Sequence, residues 1–285
     1  MAENQRTHSS LSSNQTYPIT IEEESIASML SKQTQHPKNT SLLQTNTFLA
    51  GARTKSIDWI LKANTHHSFS TATAVLAVNY FDNLLLNTLL FQQENRPPPW
   101  TTHLAAVACL SLAAKMEETH LPTLSNFQVE KNVFEAKTIQ RMEILVLSKL
   151  QWKMNPVTPL CFLSYIAKNL KFNHDFSGEF LRRCECLLLD SISDCRFMNY
   201  LPSILAASIA TLVMTGIADA GDIKDHIFSI IQIQKGDVDD CCKMIIEAVS
   251  RNYLQPGSPT GVTDASFSPI GNTLSPGRTN KEAKS

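Results

Sequence analysis

Glycine is scarce where this chain could fold: of nine glycines, only Gly178, Gly216, Gly221 and Gly236 lie between residues 53 and 250. That excludes a glycine-rich loop able to cradle phosphates on backbone N–H groups, and it argues against strands joined by tight turns. No G-x-S-x-G elbow and no H-E-x-x-H pair occurs, which removes the hydrolase nucleophile and the metalloprotease helix. Glu117, Glu118 and His120 lie close together, but in the wrong order and in a loop. An excess of either charge is missing too. Lys and Arg number 25 against 26 Asp and Glu, for a net charge of −1 and a pI near 6.7. Tracking nucleic acid or an anionic membrane needs a basic footprint, and none is present.

The seven cysteines are odd in number and have no disulfide-like spacing. Neither Cys184-x-Cys186 nor Cys241-Cys242 offers the paired C-x₂-C spacing of a tetrahedral zinc site, and Cys184 and Cys186 fall on different helix faces. No metal and no cofactor is expected. A polar Ser/Asn/Gln-rich stretch follows Met1 where a signal peptide would carry a basic segment and an apolar run. Reduced thiols of a cytosolic or nuclear protein are therefore expected. The longest apolar candidate, residues 204–218, falls short of the ~18–20 residues of a membrane span. It also contains Ser208, Thr211, Thr215 and Gly216, so a buried helix is the better reading.

What is present is helical periodicity. Between residues 53 and 250 apolar residues recur at three and four positions, and breakers divide the pattern. The predicted helices are one ending at 64–70, then 71–91 with Ser70 as N-cap, 100–116 after Pro97-Pro98-Pro99, and 136–150. Past the break at 155–159 follow 160–170, 177–192, 202–215, 222–232 and 237–251. The fold class is all-α: two tandem five-helix bundles flanked by disordered segments. Residues 1–50 form the N-terminal arm, 51–157 and 158–252 the two domains, and 253–285 the tail. A short amphipathic island at 21–30, opened by Glu22, Glu23 and Glu24, reads as a transient helix within the arm. Residues 256–285 hold four prolines, four glycines and nine Ser or Thr. Ser258, Ser268 and Ser275 each precede proline there. They read either as parts of a linker-like tail or as sites for proline-directed kinases, where each phosphate adds nearly two negative charges.

The phrase RTKSIDWIL at 53–61 resembles the opening of a cyclin box. TATAVLAVNYFD (71–82), LAAVACLSLAAKMEE (104–118) and IQRMEILVLSKLQWKMNPVTP (139–159) follow in the order and spacing of that box. DCRFMNYLPS (194–203) and PGSP (256–259) are similar to plant D-type cyclins. The resemblance implies a non-catalytic regulatory subunit that binds and activates a cyclin-dependent protein kinase at the G1/S transition, in the nucleus and also the cytoplasm. By motif position it implies that Lys115 and Glu143 hold the kinase, with Met116 and Trp152 adding apolar contact. It gives Arg53, Asp58, Trp59, Asp82 and Leu104 structural work in the box, Arg53 and Asp82 holding the first helix against the second. The residues themselves leave alternatives. Lys115 suits a helix C-terminus, Glu143 could pair with Arg141 or Lys149 on the surface, and Trp152 could be core.

Two docking devices depart from the family. The groove for R-x-L substrates opens on Met-Arg-Ala-Ile-Leu, where this chain has Ala52, Arg53, Thr54, Lys55 and Ser56. Only Trp59 remains of its apolar wall. The L-x-C-x-E segment for retinoblastoma-type proteins is absent, so weak or indirect binding of a retinoblastoma-related protein is expected. No R-x-x-L destruction box occurs in the first fifty residues. Kinase inhibitors are further expected partners. The alternatives are a cyclin-like scaffold or competitor that binds a kinase without activating it, and a cyclin-repeat transcription factor binding nucleic acid.

Overall fold

The computed structural model describes residues 25–33, 45–87, 98–129, 134–170, 174–215 and 220–254, together with Leu43 and Phe172. Ser258, Ser268 and Ser275 lie outside the described residues. Ten α-helices and two 3₁₀ turns account for the described elements: α1 (Ile26–Gln33), α2 (Thr47–His66), α3 (Thr71–Asn87), α4 (Pro99–Glu117), a turn at Leu124–Asn126, α5 (Ala136–Lys149), α6 (Pro159–Asn169), α7 (His174–Ser193), a turn at Cys195–Asn199, α8 (Pro202–Thr215), α9 (Ala220–Ile231) and α10 (Lys235–Leu254). Among the described residues the first half thus contributes four α-helices after α1, and the second half five.

Each half is built around a helix that is apolar on every side. In α4, all residues from Leu104 to Ala114 are buried, and α2, α3 and α5 pack around it. In α8, all residues from Ser203 to Thr211 are buried, with α6, α7, α9 and α10 around it. A helix without a polar face belongs inside a bundle, and the alanines of both helices let neighbours approach closely. Leu104 is one of the fully interior residues of α4. Local signals set the helix starts: Asn46 Oδ1 accepts from the Leu49 N–H at 3.1 Å, and prolines open α4, α6 and α8, where a missing N–H is harmless. Ser70 Oγ accepts from the Thr73 N–H at 3.3 Å at the start of α3. The Glu118 carboxylate, just past α4, accepts there from the Ser70 N–H at 2.7 Å and from the Thr73 hydroxyl.

Within the arm expected over residues 1–50, the structure describes 25–33, Leu43 and 45–50, and the amphipathic island is helical there. Residues 26–33 form α1, whose Met29 is buried in the second core with Ile26 and Leu30 packed beside it. Gln33 Oε1 accepts from the Ser203 N–H at 3.0 Å, at the start of α8. The i, i+3, i+4 stripe finds a partner surface that sequence alone does not display. Helix α2 likewise begins at Thr47, ahead of the expected boundary at 51.

The two halves are joined by specific bonds. Arg53 of α2 is 1% exposed and forms a double contact with Asp82 of α3, Nε to Oδ1 at 2.8 Å and Nη2 to Oδ2 at 3.1 Å. The same guanidinium donates to the Ser193 and Ile192 carbonyls at 3.1 and 3.0 Å, satisfying carbonyls that the end of α7 leaves without helical partners. Thr71 of α3 donates its hydroxyl to Glu185 of α7 at 2.9 Å. Asp58, expected among the structural residues of the box, is instead on the surface. It pairs with Lys62 at i+4, 2.7 Å, with both side chains more than half exposed, an arrangement that contributes little.

Candidate functional site

Glu143 and Lys115 meet although 28 positions separate them. Their side chains are 8% and 40% exposed, and Nζ lies 2.6 Å from Oε1. Ser111, one turn before Lys115 on α4, donates its hydroxyl to the same oxygen at 2.6 Å. Two donors on one helix thus hold a buried carboxylate on the next. Burying that charge without them would cost several kcal/mol. The surface pairs with Arg141 or Lys149 do not form, because Glu143 faces α4 and those two residues are exposed. Ser111 was not singled out in the sequence. Its signal was a hydroxyl inside an otherwise apolar helix, one turn from a lysine.

Around this knot the surface carries apolar side chains in water. Met116 follows Lys115 and is 43% exposed, and Ile144 follows Glu143 and is 63% exposed. Trp152 is 69% exposed and so is not core. It lies past the other end of α5, on the wall of a cleft of about 1190 Å³ between the two bundles that Lys149, Lys153, Tyr80 and Asn83 also line. Gln151 and Trp152 have φ of 53° and 61°, a left-handed backbone that non-glycine residues adopt rarely. Lys137, Arg141, Lys149 and Lys153 are exposed along α5 and its extension and pair with no carboxylate among the described residues. The structure brings Lys115, Glu143 and Met116 together and sets Trp152 at the far end of the same helix.

Trp59 is buried, with its ring edge-on to His103 at 4.9 Å and its Nε1 without a hydrogen-bond partner among the described residues. Cys109, Cys184 and Cys241 are among the buried cysteines. Burial pushes the Cys109 and Cys184 thiols far up and Cys241 to about 12, and thiols held that high stay protonated and unreactive at neutral pH. Among the described residues no group of His, Cys, Asp and Glu has the arrangement of a metal site, and no helix is long and apolar enough to cross a membrane.

Comparison with known proteins agrees with this architecture. The family description "Cyclin, N-terminal domain" matches residues 24–155, and "Cyclin, C-terminal domain" matches 157–257. Cyclin-D3-3 of Arabidopsis thaliana is 40% identical over 257 residues, which cover 87% of this chain and 70% of that protein. Cyclin-D3-2 of the same plant is 40% identical over 226 residues, 76% of this chain and 60% of the relative. The chain therefore spans about 60–70% of the length of these relatives. Among solved structures, a viral cyclin from herpesvirus saimiri superposes with a TM-score of 0.67 at 15% identity, covering 79% of this chain and 96% of the viral one. That last likeness speaks for the fold alone. With both halves matched and two-fifths of the aligned residues shared with plant D-type relatives, the chain belongs to the cyclin family, among the plant D-type cyclins.

Proposed function

We propose that this cyclin binds and activates a cyclin-dependent protein kinase and so controls progression from G1 into S, without a catalytic site of its own. The observation that carries the reading is the Ser111–Glu143–Lys115 knot. It places a rigid ion pair at the edge of a face with exposed Met116 and Ile144 and exposed, unpaired cations. Exposed apolar side chains beside a buried ion pair are better covered by a partner than by water. Lys115 keeps two-fifths of its side chain exposed while Glu143 is buried, so the lysine retains donors for a partner's carbonyls. Trp152 supplies a large aromatic anchor of the type that dominates interface energies.

The mechanism is conformational. A free kinase keeps the helix bearing its catalytic glutamate turned away from the ATP-binding lysine. A face that binds the active orientation more tightly shifts that equilibrium by its difference in affinity for the two states. All phosphoryl-transfer chemistry then belongs to the kinase.

The same reading includes a nuclear location with a cytoplasmic share, kinase inhibitors as competitors for the complex, and weak or indirect contact with a retinoblastoma-related protein. Ser258, Ser268 and Ser275 are read as phosphorylation sites that govern turnover. Adding the purified chain to an isolated plant cell-cycle kinase tests the central statement. Substrate phosphorylation rises with cyclin concentration if the reading holds, whereas binding without any gain in activity would mark a scaffold or competitor.

A further inference from the structure

We infer that Tyr80 is a positioning residue for Trp152, and that the hook at residues 151–154 is a preformed docking knob rather than a loop shaped by its partner. The kinase readout of this inference rests on the function proposed above; the geometry does not.

The chain does not fray where α5 ends. The Leu150 N–H donates to the Val146 carbonyl at 2.9 Å, Gln151 to Ser148 at 3.1 Å, Trp152 to Leu147 at 3.0 Å and Lys153 to Leu150 at 3.0 Å. These bonds wind the hook back onto its own helix and require left-handed backbone at Gln151 and Trp152. A non-glycine residue there is strained by its Cβ, as a glycine would not be. The strain persists only where surrounding structure over-determines it.

Tyr80 supplies the tie from another helix. Its ring is 1% exposed in the first core, and its hydroxyl donates to the Met154 carbonyl at the end of the hook. Burial, with Glu117 and then Cys109 nearby, holds that hydroxyl protonated far above its ordinary range, so it remains a donor. Tyr80 itself is fixed, since Asp82 two residues on is locked to Arg53. The hook is thus held at its base by α5 and at its end by α3, while the indole of Trp152 stays mostly in water. Intramolecular packing does not explain a strained backbone that holds a tryptophan out in solvent. A preformed knob does, because the ordering cost is then met at folding and not at binding.

The experiment uses the full chain with Trp100→Phe, so that Trp59 (buried) and Trp152 remain as emitters. Tyr80→Phe removes the hydroxyl and keeps the ring. In the free protein it is expected to lower the residual anisotropy of the Trp152 emission. It should also weaken binding to the kinase about fivefold, the loss expected for one hydrogen bond. Gln151→Gly loosens the hook without touching the core and is expected to act in the same direction. In a Trp152→Ala background, Tyr80→Phe should have no further effect on affinity. Equal weakening with and without Trp152, or unchanged anisotropy in both Tyr80→Phe and Gln151→Gly, would overturn the inference. If the parent protein bound no kinase, the proposed function would fall while the anisotropy comparison still decided whether Tyr80 holds the hook.

Discussion

Arg53 and Asp82 face each other across α2 and α3 with their side chains 2% and 3% exposed, joined by two nitrogen–oxygen contacts. The arginine also donates to two carbonyls at the end of α7, so one side chain links α2 and α3 to the second bundle. Breaking a buried pair from one side leaves an uncompensated charge and costs about 3–5 kcal/mol. Arg53→Ala is therefore expected to lower the free energy of unfolding by about that amount, measured by urea denaturation. The fraction that remains folded should bind the kinase nearly as well as the parent. A fully stable variant with selectively lost binding would contradict this assignment.

Helix α1 has eight residues, too few to be stable alone in water, so its order depends on docking. Met29→Ala removes the side chain buried in the second core, for an expected loss of about 2 kcal/mol. Trypsin should also cut after Lys32 faster in the variant. Unchanged cleavage and stability would mean that the helix contributes nothing to the fold.

Glu185 gives a pH prediction. Burial raises its pKa, and the hydrogen bond from Thr71 only partly opposes this. An acid with a raised native pKa holds more proton in the folded than in the unfolded state between the two values, so stability falls as pH climbs through that window. The window opens at the ordinary carboxylate range and closes at the raised value. Glu185→Gln cannot titrate and keeps an oxygen for Thr71. It is expected to be more stable than the parent at pH 7 and to lose that advantage by pH 4. Thermal melts at the two pH values decide it, and a variant equally or less stable at pH 7 would refute the burial argument.

Much of the architecture was legible because it is local. Breakers, caps and the three-to-four periodicity placed 202–215 at its observed bounds and most other helices within a few residues. What was not legible depends on distance along the chain. The apolar stripe of α1 was visible, but its partner Ser203 lies 170 positions away. Lys115 needed a counter-charge, yet sequence offered Glu143 nearer candidates in Arg141 and Lys149 than the lysine on the neighbouring helix. Trp152 could have been core because nothing local announces a left-handed backbone at Gln151 and Trp152. Asp58 sits inside a family motif and still ended on the surface.

The most direct test of the account compares the parent chain with Lys115→Ala/Glu143→Ala in a kinase pull-down and activity assay, with circular dichroism to establish that both are folded. Removing both partners avoids leaving Glu143 buried without its lysine. The account predicts that the parent binds and activates a plant cell-cycle kinase, and that the folded double variant loses binding at least tenfold and activation with it. Unimpaired binding and activation by that variant would contradict the placement of the kinase on this face.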